Sequence, residues 1–102
     1  MNRGEVWWAE HPALGRRPML ILTRQAAIPV LNRVLCAPAT RTTRGIPTEL
    51  DLNEDDGMPA ECVISFDNVT PISKSLLVER ICRLNGERLA EMCRCLNIAA
   101  GC

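Results

Sequence analysis

Hydrophobic positions come in short runs up to residue 84, and after that their period changes. Residues 5–9 read as a strand in which the adjacent Trp7 and Trp8 face opposite sides. Residues 11–17, with Pro12 and Gly15, read as a loop. Residues 18–23 are almost continuously apolar over strand length, which predicts a strand buried on both faces. Residues 25–31 form a connector and 33–37 a third strand. Residues 41–48 are basic, rich in hydroxyls and broken by Gly45 and Pro47, so they form a loop. Alternation returns at 48–52, followed by an acidic turn at 53–59, a strand at 62–66 continued past a bend at 69–72, and a last strand at 78–84. Leu89, Met92, Cys93 and Leu96 then stand at i, i+3, i+4 and i+7, the stripe of an amphipathic helix. Asn85 is its N-cap, Glu87 places an anion at the positive end of the helix dipole, and Gly101 can end it.

Short strands followed by one helix predict a mainly β fold, a small barrel-like antiparallel sheet with a C-terminal helix packed on it. At 102 residues the chain is read as one domain, 1–102, burying about 65% of its unfolded surface, so oligomerisation would help it. Trp7, Trp8 and Phe66 are the whole aromatic content. That argues against a single-strand binder built on aromatic stacking, and the tryptophans are read as packing residues.

Net charge is zero but unevenly placed. Residues 1–48 carry seven arginines against Glu5 and Glu10, a balance of +5, and the remainder carry −5. Either the molecule has a basic face and an acidic face, or the two halves interleave in the fold. None of the six cysteines forms a CxxC pair, and one histidine is too few for a zinc set. They read as reduced, buried hydrophobes of a cytoplasmic protein, Cys102 at the chain end being the one exposed to oxidation. No signal segment or membrane-length apolar run is expected to operate.

RNA can be cut with no metal or other cofactor. Its 2′-hydroxyl attacks the neighbouring phosphorus, leaving a 2′,3′-cyclic phosphate and a 5′-hydroxyl, and the protein moves protons and stabilises the charge that grows on phosphorus oxygens. An arginine suits the second task because its planar fork offers two donors and stays charged. Here Arg17 precedes the most buried strand and Thr40 follows the third, so the two would meet at neighbouring strand ends. Taken singly, each is an ordinary surface residue. Arg41 and Arg44 fit phosphate contacts as well as they fit a solvated loop. His11, the one histidine, is a general-base candidate, weighed against a simple loop histidine beside Pro12.

These phrases, in order, resemble the MazF/PemK-type toxins, or mRNA interferases. The resemblance runs from Arg3-Gly4-Glu5-Val6-Trp7-Trp8 through Gly15-x-Arg17-Pro18, Pro38-x-Thr40 and Asp67-Asn68-Val69-Thr70-Pro71-Ile72-Ser73-Lys74 to the strand ending at Leu84. It implies the SH3-like barrel of the CcdB/PemK group, a homodimer, metal-independent and sequence-specific cleavage of single-stranded RNA, and an antitoxin that lays an acidic, initially disordered segment over the same groove. It further implies that Arg17 serves transition-state stabilisation and proton transfer, that Thr40 binds phosphate, that Asp67 and Asn68 contact RNA, and that the 41–48 loop carrying Arg41 and Arg44 reads bases. The 11–16 loop is shorter than in many members, Thr70 stands where many have arginine, and Cys62 and Cys82 replace a common serine and glycine. Two rival readings are a gyrase-poisoning toxin of the CcdB kind, which would depend on C-terminal residues, and an inactive homologue that only binds antitoxin.

Overall fold

Seven strands and one helix follow in sequence in the computed structural model, which describes residues 1–13 and 15–101. They are β1 (Glu5–His11), β2 (Gly15–Ile21), β3 (Arg33–Thr40), β4 (Glu49–Leu52), β5 (Cys62–Ser65), β6 (Thr70–Ser73), β7 (Leu77–Arg83) and α1 (Gly86–Ala100). Every pairing is antiparallel, in the spatial order β4-β5-β3-β2-β1-β7, with β6 also on β3. The result is a curled antiparallel sheet with a single C-terminal helix, the predicted class. Cys102 lies outside the described residues.

The doubly buried strand is β2. Leu20 and its neighbour Leu22 face a core shared with Leu50, Ile64, Met92 and Cys95, while Met19 and Ile21 face a second core with Val34, Cys36 and Ile72. Helix α1 packs on the first core. Its stripe is rotated from the expected one: Met92 and Cys95 are fully covered and Leu89, Cys93 and Leu96 flank them. Asn85 caps it by accepting the Arg88 N–H, and Gly101 ends it in the left-handed region at φ 74°. The five described cysteines are free thiols, and burial pushes that of Cys36 up to about 12.

Three boundaries move. The expected 11–17 loop is mostly strand, because β1 and β2 pair as far as His11 and Gly15. Gly15 turns the chain at φ 74°, and cross-strand Arg16–Glu10 and Arg16–Trp8 contacts hold the hairpin. Strand β3 runs three residues beyond its expected end, so Thr40 belongs to the strand itself. Phe66 leaves its strand for a 3-10 turn over Phe66–Asn68, and this turn is the bend between β5 and β6.

Candidate active site

Strand β3 changes partners along its length. Residues 33–36 pair with β6, and Ala39 and Thr40 pair with β5. Pro38 stands between the two ladders. On its other side β3 pairs with β2 in the register Met19–Pro38, Leu20–Ala37, Ile21–Cys36. Continuing that register by two residues sets Arg17 opposite Thr40, with both side chains on the face of Met19 and Pro38. The gap left by the partner change is a groove of about 390 Å³, lined by Arg17, Met19, Pro38 and Thr40 and closed by Arg44, Asn68 and Thr70.

The two arginines at the head of β2 differ. Arg16 lies over the Trp8 ring, 4.7 Å from its centroid, and pairs with Glu10 and Glu79. Arg17 is exposed and has no hydrogen-bond or ion-pair partner among the described residues. The half-buried Thr40 hydroxyl accepts the Thr42 N–H at 3.2 Å, which fixes the oxygen and leaves its own O–H to donate. A fork of donors and a fixed O–H donor at one lip form a receptor for the oxygens of one phosphodiester.

The other candidates separate. Arg44 and Asn68 line the same groove, and Asn68 is held by donating to Ser65 Oγ at 2.8 Å. Arg41 lines a second groove of about 330 Å³ that shares Arg17 and Thr40 with the first. Asp67 lines neither, and its carboxylate accepts the Thr48 hydroxyl at 2.6 Å. His11 also lines neither groove; its Nδ1 accepts the Ala13 N–H at 3.0 Å within the hairpin.

Reading the sequence overlooked Glu49. Its carboxylate faces the first groove and accepts the backbone N–H groups of Arg44 and Gly45 at 2.9 and 3.1 Å. Gly45, at φ 67°, lets consecutive N–H groups converge as they do on an anion. The legible sign was a carboxylate four residues after a glycine in a basic loop. Near the second groove, burial and Asp56 raise the Cys62 thiol pKa, against an opposing pull from Arg41. Among the described residues no three His, Cys, Asp or Glu side chains gather to hold a metal ion.

The chain matches, over residues 2–100, the family described as PemK-like, MazF-like toxin of type II toxin–antitoxin system. It belongs to that family. It is 43% identical over 101 residues to "Probable endoribonuclease MazF5" of Mycobacterium tuberculosis, covering 98% of this chain and 93% of that protein. Among solved structures, the Mycobacterium tuberculosis toxin MazF-mt6 superposes with a TM-score of 0.86 at 30% identity, over 95% of this chain and 96% of that one. A mycobacterial endoribonuclease in complex with its cognate antitoxin superposes with a TM-score of 0.90 at 23% identity, over 99% and 95%, and so shows the shared fold. As the superpositions imply, the fold with its curled sheet and C-terminal helix is shared with these toxins. The apolar face of α1 is spent on the first core, which leaves little of it for the C-terminal contacts a gyrase poison needs.

Proposed function

We propose that this PemK-like, MazF-like toxin is an endoribonuclease that cuts single-stranded RNA without a metal or cofactor, in a single domain spanning 1–102. The observation that carries this reading is Arg17, without a side-chain partner among the described residues, lining one groove with a Thr40 hydroxyl that has a proton left to donate. A phosphodiester on the groove's lip receives two guanidinium donors and one hydroxyl. The substrate's 2′-hydroxyl gives up its proton as its oxygen attacks the phosphorus, and charge grows on the two oxygens that Arg17 faces. The P–O5′ bond breaks as the 5′-oxygen takes up a proton, so one P–O bond replaces another and one proton passes from the 2′- to the 5′-oxygen. Arg17 thereby supplies the stabilisation that a divalent ion supplies in other nucleases. Arg44 and Asn68 hold the strand on one side of the cut and Arg41 on the other, while Asp67 contacts RNA from outside both grooves.

In this reading the toxin works in the cytoplasm as a homodimer, for which the exposed Val30 (78%), Leu31 and Leu35 provide apolar surface. Its cognate antitoxin lays an acidic segment over the same groove, where Arg17, Arg41 and Arg44 await an anion. No helix among the described residues is long and apolar enough to cross a membrane.

Digestion of a long RNA, read by primer extension and end analysis, tests the proposal. Cyclic-phosphate and 5′-hydroxyl ends are expected, along with unchanged cutting in EDTA. Arg17→Ala should abolish cleavage with an unaltered circular dichroism spectrum. A fully active, folded Arg17→Ala protein, or EDTA inhibition reversed by Mg²⁺, would reject it.

A further inference from the structure

The second groove holds opposite charges that do not satisfy each other. Arg41 and Glu61 both line it, and neither side chain has a hydrogen-bond or ion-pair partner among the described residues. Both are exposed, and the same groove is lined by the apolar Pro18, Ala39 and the buried Met58. At the end beside Arg17, Trp8 carries the Arg16 guanidinium 4.7 Å from its ring centroid. Trp8 and Pro18 are cross-strand neighbours, so the two rings share one face of the sheet. The groove thus combines apolar and π surface with a carboxylate acceptor, Glu61, and a guanidinium donor fork, Arg41.

We infer that this groove is a specificity pocket for guanine, holding the base next to the severed phosphate. The inference rests on the RNA-cleaving reading above, since Arg17 and Thr40 are shared by both grooves and tie the pocket to the cut. Guanine is the RNA base with two neighbouring N–H donors, N1–H and the 2-amino group, that a carboxylate can accept together. Its O6 and N7 lie on the adjoining edge, where an arginine fork donates to both. Adenine and cytosine set a ring acceptor beside their amino group, which would face the Glu61 carboxylate, and uracil has one N–H between two carbonyls. A base seated here rests on apolar surface, with a guanidinium-backed indole at one end. Trp8, read from sequence as a packing residue, thereby acquires a contact with substrate. The pocket lies at the edge of the active groove because the 53–61 segment is held in place: Arg88 donates to both Asp56 oxygens at 3.0 and 3.2 Å and ties the segment to α1.

Cut-site mapping on a long RNA, followed by kinetics on the best short substrate, tests the pocket. Guanine should dominate one position adjoining the cut. Replacing that guanine by inosine removes only the 2-amino donor, and kcat/KM of the wild-type enzyme should fall about tenfold. In Glu61→Ala the same replacement should change kcat/KM by less than about twofold, because the acceptor is gone. Glu61→Gln, which has one acceptor and adds a donor, should favour a base presenting an acceptor at that edge. Indifference of the wild-type enzyme to the adjoining base, or an equal inosine penalty in wild type and Glu61→Ala, overturns the pocket and leaves the nuclease standing. RNA left intact by the wild-type protein overturns both.

Discussion

Two neighbouring arginines end in opposite electrostatic surroundings, and alternation along a strand is the cause. Arg16 points to the face of Trp8, where it stacks and meets two glutamates; Arg17 points to the other face, where no carboxylate pairs with it. The Arg16 ion pairs are exposed and add little stability. Glu5 is the converse, a carboxylate only 1% exposed. Burial alone would raise its pKa, but bonds from the Trp7 indole N–H at 3.0 Å, from Asn2 and from Arg80 outweigh it and hold the value down at about 2. The folded-state value lies below the unfolded one. The stabilisation is therefore complete above about pH 5 and is lost as pH falls from there toward about 2. It amounts to about 3 kcal/mol, with Arg80 contributing least because its own side chain is largely solvated. Urea midpoints across that window should fall with acidity in the wild type and much less in Glu5→Gln. Parallel curves for the two proteins would show that Glu5 is not the titrating anchor.

At the scale of elements, the site exists because β3 serves two ladders and the 3-10 turn at Phe66–Asn68 joins them. That turn was readable as a bend, and the strands as runs, but the change of partner was not. Pairing depends on residues 23 to 40 positions apart, which local alternation does not specify. The acidic 53–59 turn was also legible, with Asn53 capping a 3-10 turn and Gly57 closing it at φ 98°. Its attachment to α1 was not. Arg88 reaches Asp56 across 32 positions, in a pair whose carboxylate side chain is 9% exposed. Burial opposes ionisation of Asp56, yet the Arg88 bonds and the Asn53 N–H lower its pKa overall. Arg88→Ala should cost about 2 kcal/mol, read as a lowered urea midpoint, because it strips a charged partner from a largely covered carboxylate. It should also loosen the 53–61 segment, visible as faster amide exchange there. An unchanged midpoint would reduce the pair to a solvated contact.

For the whole molecule, the +5 and −5 halves of the chain interleave at the site. Arg17 and Arg44 share the first groove with Glu49, and Arg41 shares the second with Glu61. Of the two readings that the charge pattern allowed, interleaving is therefore the one found there. The consequence is a modest salt dependence for a protein of zero net charge. With Arg17 and Arg44 on phosphates and Arg41 on a base, log K for single-stranded RNA should fall against log salt with a slope of about −1.4. Titration of an uncleavable oligonucleotide across salt concentrations measures it. A slope near zero would remove both arginines from the backbone contacts, and one several times steeper would call for a basic surface outside the grooves.

The amino-acid sequence by itself determined the local features: five or six short strands where the structure has seven, the change to a helical period after residue 84, the Asn85 cap, and the spaced phrases around Arg17, Thr40 and Asn68 that mark a PemK-like, MazF-like toxin. These follow from side-chain alternation and backbone preference over a few neighbouring residues. Only tertiary structure decided that Arg17 shares a groove with Thr40 and has no ion-pair partner among the described residues, that Asp67 and His11 stay outside the grooves, and that Glu49 and Glu61 enter them. Strand register and long-range ion pairing settle which charges are neutralised, and both depend on contacts between residues far apart in the chain.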